Sequence, residues 1–383
     1  MGKQQSPEYR TGSSVVSFKQ AKALAAKHGT PLLVCDLQRV EDNYKALKNL
    51  MRRFELYYAV KANPHPKILK RLAKLGSNFD VASKNEILLC QEAGAKPDDM
   101  IYANPVKPAE SIKFAHDLGV KTFTFDNPDE LVKMAKWAPG SNVVLRIMVR
   151  DAGSACKFST KFGASEHDTL SLLLKAKDLG LKPAGLSFHV GSQCLNMDNF
   201  GWALDMCSTI FKSAERHDID MTILDVGGGI PIKYVEDVYS FNELSDLINE
   251  KMEDLFSPWV KPIAEPGRAV TGDCMTLITR VLGVSRRNRV DCAYIDDGVY
   301  NSLSETVFGH CEYDILSDKK GEPRTYTIFG PTCDSMDVVT SNAYLPELED
   351  GDLLMIPSAG AYTNAAATHF NGFDPAKILF LNE

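Results

Sequence analysis

The chain has 383 residues, of which 44% are hydrophobic and 24% charged, and it carries a formal charge of −7. That length exceeds what one hydrophobic core usually supports, so two domains are expected. The acidic balance, with no basic block, excludes nucleic acid and anionic membrane surfaces as main partners, and no apolar run reaches bilayer length.

Nine cysteines are scattered without a Cys-x-x-Cys pair or a His/Cys cluster at metal spacing. This usage points to reduced thiols in a cytoplasmic protein and to no metal site. The opening MGKQQS matches a myristoylation pattern loosely, through Gly2 and Ser6, and is read as a leader. Further on, TPLLVCDL forms a strand that can pair with the C-terminal part of the chain.

From about residue 54 to 267 one pattern recurs: a short β-rich run, a turn, then a longer amphipathic stretch. The strand candidates are LYYAVKA, NFDVAS, MIYAN, KTFTFDN, NVVLRIMV, GLSFHVGS, TILDVGGG and KPIAEPG. Segments such as PKILKRLAKLG and KNEILLCQEAG lie between them, with apolar residues at helical spacing and a closing glycine. About eight such repeats predict a (β/α)8 TIM barrel. Beyond residue 270 come short strands (MTLITRVLGVSRR, CAYIDDGVY, RTYTIFG, GDLLMIP, AKILFLNE) with no helices of note, which predict an all-β domain of sandwich or barrel type. The expected division is a leader and joining strand (1–36), a barrel (37–269) and a β-domain (270–383).

Chemistry in such barrels sits at the C-terminal ends of the strands. Reading those ends yields Lys61, Asp80, Arg146, His189 with Ser192, Gly227 to Gly229, and Glu265 with Arg268. A single strand-end lysine or glycine is usually unremarkable, but the set converges from different strands. DVGGGIP at 225–231 can offer consecutive backbone N–H groups to a phosphate, and Arg268 on the next strand end can reach the same group. Glu265 leaves an apolar strand, where a carboxylate needs a cation such as a protonated heterocyclic nitrogen. An imine-forming lysine, a phosphate cradle and a carboxylate for a ring nitrogen together point to pyridoxal 5′-phosphate (PLP).

With these motifs in place, the sequence resembles the fold-type III PLP-dependent decarboxylases of basic amino acids, such as ornithine and lysine/ornithine decarboxylases. The matching stretches are YAVKANP, FDVAS, FHVGSQ, DVGGG, AEPGR, DDGVY, GPTCDSMD and GAYTNAAATHFNGF, spanning about residues 30 to 373. The resemblance implies that Lys61 is the Schiff-base lysine, that His189 stacks on the cofactor ring and that Glu265 pairs with its nitrogen. Ser192, Gly227, Gly228, Gly229, Gly267, Arg268 and Tyr362 would contact the phosphate region, with Asp80, Glu86 and Arg146 in support. Cys333 would protonate the product carbon, and Asp334, Tyr300, Phe370 and the position of Gly309 would line the substrate. A homodimer with shared active sites is implied as well, with a place in polyamine biosynthesis.

One stretch departs from the family pattern. DGVYNSLSETVFGH at 297–310 has Gly309 where the family carries an aspartate for the distal amine, and Phe308 in place of a tyrosine. Glu305, Glu312 or Asp334 can supply the missing charge, or the substrate is a different or longer amino acid. Ornithine or lysine is the expected substrate. A fold-type III racemase and a non-catalytic regulator resembling the antizyme inhibitors rank lower, because Lys61, Cys333 and the phosphate loop are all present.

Overall fold

The computed structural model describes residues 13–307 and 311–383. The leader motif and Phe308, Gly309 and His310 lie outside these residues. Two compact units result. One comprises Tyr44–Pro231 and Tyr239–Gly267; the other comprises the described residues up to Asn43, Ile232–Val238 and Arg268–Glu383.

The first unit is a closed parallel barrel of eight strands: β1 (Glu55–Ala59), β2 (Asn78–Val81), β3 (Met100–Tyr102), β4 (Thr122–Phe125), β5 (Asn142–Arg146), β6 (Lys182–Ser187), β7 (Ile223–Asp225) and β8 (Lys261–Ala264). It closes where Ile263 and Ala264 of β8 pair with Glu55 and Leu56 of β1. All eight predicted strands are present. Tyr58, Phe79, Tyr102, Phe123 and Phe125 are fully buried along them, each stabilising the fold by about 1.5–3 kcal/mol through burial.

The connecting helices start where the sequence offers caps. Ser83 accepts from Glu86 N ahead of Lys84–Glu92, Asn127 accepts from Glu130 N ahead of Pro128–Trp137, and Ser240 forms a capping box with Glu243 ahead of Phe241–Leu255. One strut joins neighbouring repeats: Lys107, wholly buried, reaches Thr124 O at 2.6 Å and Glu130 Oε1 at 2.9 Å. Burial pulls its amine down to about 8, against the opposing pull of Glu130.

The second unit is built on a seven-stranded mixed sheet. Its long strand Met275–Arg287 pairs antiparallel with Leu32–Asp36 and Leu353–Ile356 through its first half, and with Val290–Ile295 through its second. The register shifts between Val281 and Gly283, where one half gives way to the other. Lys377–Leu381 lies parallel to Leu32–Asp36. The helix Phe18–His28 packs Ala21 and Ala25 against Val34, Ile278 and Met355. Beyond residue 270 the described helical elements are single turns at Ser304–Thr306 and Phe370–Gly372, as expected from the texture of that segment.

Candidate active site

Lys61 does not end a strand, as its sequence context suggested. Strand β1 stops at Ala59, and Val60–Ala62 forms one 3₁₀ turn that carries the lysine. The following Asn63 and Pro64 end that turn. Asp80, on β2, is buried and accepts from Lys61 Nζ at 2.7 Å, while the lysine side chain keeps 43% of its exposure. The amine is thus tethered by a carboxylate and still open to solvent.

Asp225 and Glu265 occupy neighbouring strand ends. Asp225 pairs in register with Ile263, and Glu265 is two residues further along, so both side chains fall on the same face of the barrel wall. Gly227 N donates to Asp225 Oδ1 at 2.8 Å, and Glu265 N donates to Gly227 O at 2.8 Å. No donor among the described residues reaches Asp225 Oδ2 or Glu265 Oε1, although both atoms lie beyond the reach of solvent. Burial first, then Asp225 and Asp80, raises the Glu265 carboxyl well above its usual range. Burial raises Asp225 too.

His189, just past β6, accepts from Gly191 N through Nδ1 at 3.0 Å, which leaves the proton of the neutral ring on Nε2. Burial, then Arg146 and Lys61, holds it well below its usual pKa, so the ring is uncharged. Phe158 meets it edge-on at 4.8 Å. Arg146, at the end of β5, stands 5.2 Å over Phe162. Burial lowers its pKa, opposed by Glu265, Asp126, Asp80 and Asp225.

The glycine stretch after β7 is tight. Gly227 and Gly229 have φ of 65° and 92°, and a Cβ would fall 2.2 Å from Phe188 O at the first and 2.3 Å from Gly191 O at the second. No side chain fits there, so the backbone itself is what this turn presents. Ser192 is buried in a short strand, Ser192–Cys194, whose Cys194 N donates to Gly229 O at 2.9 Å. Gly267 is buried at the end of the AEPG stretch. Glu86 sits in a local capping arrangement, with Oε2 accepting from Ala82 N at 2.6 Å. Burial raises it to about 7.

The remaining predicted residues belong to the sheet unit. Arg268 is buried, and its Nη1 lies 2.5 Å from both Glu305 Oε2 and Tyr234 OH. The Tyr362 ring faces the guanidinium at 4.9 Å, from a backbone held at φ 58°. Glu305 is therefore no open acid for a substrate amine, which corrects that sequence alternative: it is buried and committed to Arg268. Tyr300 donates to Asp334 Oδ2 and stacks on Phe370 at 4.3 Å. Cys333 is exposed, and its N–H donates to Asn371 Oδ1 at 2.9 Å.

Sequence reasoning missed two participants. Asp225 was hidden inside its motif by the glycines, though its position at the end of an apolar strand resembles that of Glu265. Tyr234 lies in no motif. Among the described residues no cluster of His, Cys, Asp and Glu could hold a metal, and no helix is long and apolar enough to cross a membrane.

The family model described as "Pyridoxal-dependent decarboxylase, pyridoxal binding domain" matches residues 37–272. The chain belongs to that family. Its sequence is 40% identical to the lysine/ornithine decarboxylase of Selenomonas ruminantium, over 96% of this chain and 94% of the relative. A solved structure of SrLDC with PLP and cadaverine superposes with a TM-score of 0.90 at 39% identity, covering 96% of this chain and 94% of that one. The arginine decarboxylase of Paramecium bursaria Chlorella virus, bound to agmatine, also superposes with a TM-score of 0.90, at 32% identity over 95% and 100% of the two chains. The decarboxylase is thus a pyridoxal-dependent carboxy-lyase built on a TIM barrel with a sheet domain.

Proposed function

We propose that the decarboxylase acts on a basic L-amino acid, ornithine or lysine foremost, releasing CO2 and the corresponding amine. The observation that carries this is Asp334. Hydrogen bonds from Met336 N and Tyr300 hold its carboxyl below the usual range, so it stands ionised beside the stacked Tyr300 and Phe370 rings. A carboxylate next to an aromatic slab suits an alkyl chain that ends in a cation.

The barrel residues fit PLP. Glu265 Oε1 is a buried acceptor with no donor among the described residues, His189 is a neutral aromatic plate, and the turn after β7 presents bare backbone. When bound, PLP supplies an aldehyde for the amine and a ring that draws off electrons as CO2 leaves. In our reading Lys61 holds the aldehyde, with Asp80 positioning its amine and Arg146 balancing the surrounding carboxylates. Glu265 accepts from the ring nitrogen. Ser192, Gly227 to Gly229, Gly267, Arg268 and Tyr362 bind the phosphate region, with Arg268 sharing or exchanging Glu305 to do so. Cys333 delivers a proton to the carbon that lost its carboxylate, and Asp334 pairs with the distal ammonium.

The same reading divides the chain into a leader and joining strand (1–36), a cofactor barrel (37–269) and a β-domain (270–383). It makes the protein a homodimer in which Cys333 and Asp334 of each subunit serve the other. Supporting this, Met336, Phe370 and Phe373 expose large apolar surfaces close in sequence to Cys333 and to its partner Asn371. Nine free thiols support a reducing, cytoplasmic setting.

The decisive experiment is CO2 release from purified protein with added PLP, across ornithine, lysine, arginine and diaminopimelate. Strongest turnover of ornithine or lysine is expected. Silence on all four from a protein yellow with bound cofactor would overturn the substrate assignment.

A further inference from the structure

Two acidic side chains at the end of a barrel, on adjacent strands and on the same face, have no ordinary reason to be neighbours. Asp225 is 0% exposed, and Glu265 Oε1 is out of solvent's reach. Asp225 Oδ1 is satisfied by Gly227 N at 2.8 Å, which aims Oδ2 away from that turn. Asp225 Oδ2 and Glu265 Oε1 are both buried, and neither has a donor among the described residues. Carboxylates are acceptors only, so two such neighbours can satisfy one another only if one of them carries a proton.

We propose that Asp225 is a positioning residue that shares one proton with Glu265, so that the cofactor-free barrel already stores the proton the heterocycle nitrogen will carry. This rests on the proposed role of Glu265 at that nitrogen. On loading, the O–H bond of the pair breaks, its electrons stay on the carboxylate oxygen, and the ring nitrogen's lone pair takes the proton. No oxidant or reductant is involved.

The surroundings favour this arrangement. The charged groups acting on the pair are Asp80, Lys61 and Arg146, while His189 is neutral. Lys61 is already tethered to Asp80 at 2.7 Å, so Arg146 is left to offset the pair. One cation cannot balance two buried carboxylates, and holding a proton removes the surplus charge. The raised pKa of both groups agrees with that geometry. Once the ring nitrogen has taken that proton, its positive charge against Glu265 offsets the second carboxylate, and the total charge of the site is unchanged.

The test uses cofactor-stripped full-length protein, wild type against Asp225→Asn and Glu265→Gln. Asparagine keeps an acceptor for Gly227 N and can donate to Glu265, which then stays ionised. Above the pKa of the free cofactor's ring nitrogen, PLP affinity of the wild type is expected to be flat with pH, because the proton comes from the pair. The affinity of Asp225→Asn is expected to fall about tenfold per pH unit, because one proton must then come from solvent. In parallel, the infrared difference between wild type and either variant should show a carboxylic-acid carbonyl band, sensitive to deuterium exchange, in the cofactor-free wild type.

Equal pH slopes and no difference band would overturn the proposal while leaving the PLP reading intact. If wild type fails to bind PLP at all, that reading fails, and the infrared comparison still decides whether the pair holds a proton. Should Asp225→Asn not fold, the Glu265→Gln difference spectrum decides in its place.

Discussion

Arg268 Nη1 lies 2.5 Å from Glu305 Oε2, in a buried cluster that includes Tyr234 and the face of Tyr362. An arginine expected to meet a phosphate is already paired with a carboxylate from the stretch that departs from the family pattern. Removing one partner of a buried ion pair strands the other charge, at a cost of about 3–5 kcal/mol. Glu305→Ala should therefore lower the melting temperature of cofactor-free protein markedly, and PLP should restore more of it than in wild type. Thermal melts with and without PLP check this. Equal recovery in both proteins would mean that phosphate does not reach Arg268.

Lys61→Ala should lose both the visible absorption of bound cofactor and turnover. The substitution also leaves the buried Asp80 carboxylate without its 2.7 Å partner, so some loss of stability should accompany it. Absorption spectra and CO2 release check the first point. A yellow, active Lys61→Ala protein would sink the assignment of the lysine.

Cys333→Ala should lower turnover by about 10²–10⁴-fold, the usual contribution of a positioned proton donor. Cofactor absorption should be unchanged, because Cys333 is exposed and is assigned to delivering a proton rather than to holding the cofactor. Loss of the visible band in this variant would instead assign Cys333 to cofactor binding.

Asp334→Asn should act on substrate recognition. Loss of the charge that would face the substrate's distal ammonium should appear mainly as a raised KM for ornithine or lysine. A substrate without a distal charge should be affected little. Steady-state kinetics on both substrate types check this, and equal losses on the two would remove Asp334 from recognition of the amine.

Glu86 governs a pH effect on stability. Burial raises its carboxyl from 4.5 to about 7 in the folded protein, partly offset by the Ala82 N–H. Between those values the folded state binds more protons than the unfolded chain, so this group's contribution to stability falls as pH rises from about 4.5 to about 7. The slope is at most about 1.4 kcal/mol per pH unit for one proton. Glu86→Gln keeps the cap without the titration, so it should gain stability relative to wild type across that window. Urea unfolding of cofactor-free protein at several pH values tests this; a constant difference would assign the titration elsewhere.

Much of this protein was legible in the residues alone. The eight apolar runs separated by amphipathic stretches determined the barrel, because only a closed parallel sheet covered by helices buries so many short two-sided strands. Lys61, Asp80, His189 and Glu265 could be read because each follows or ends such a run. The exact place of Lys61, on a 3₁₀ turn rather than the strand, could not, since two residues of backbone geometry decide it.

Contacts between distant segments were not legible. Glu305 meets Arg268 across 37 positions of chain, and nothing in either motif indicates which carboxylate would take the guanidinium. Asp225 and Glu265 become partners only through the register of β7 on β8, where Asp225 faces Ile263. Sequence pattern determined which side chains enter the barrel, because burial follows a local period. Tertiary structure alone decided which charges face one another there, because strand register and burial act between segments that local sequence does not connect.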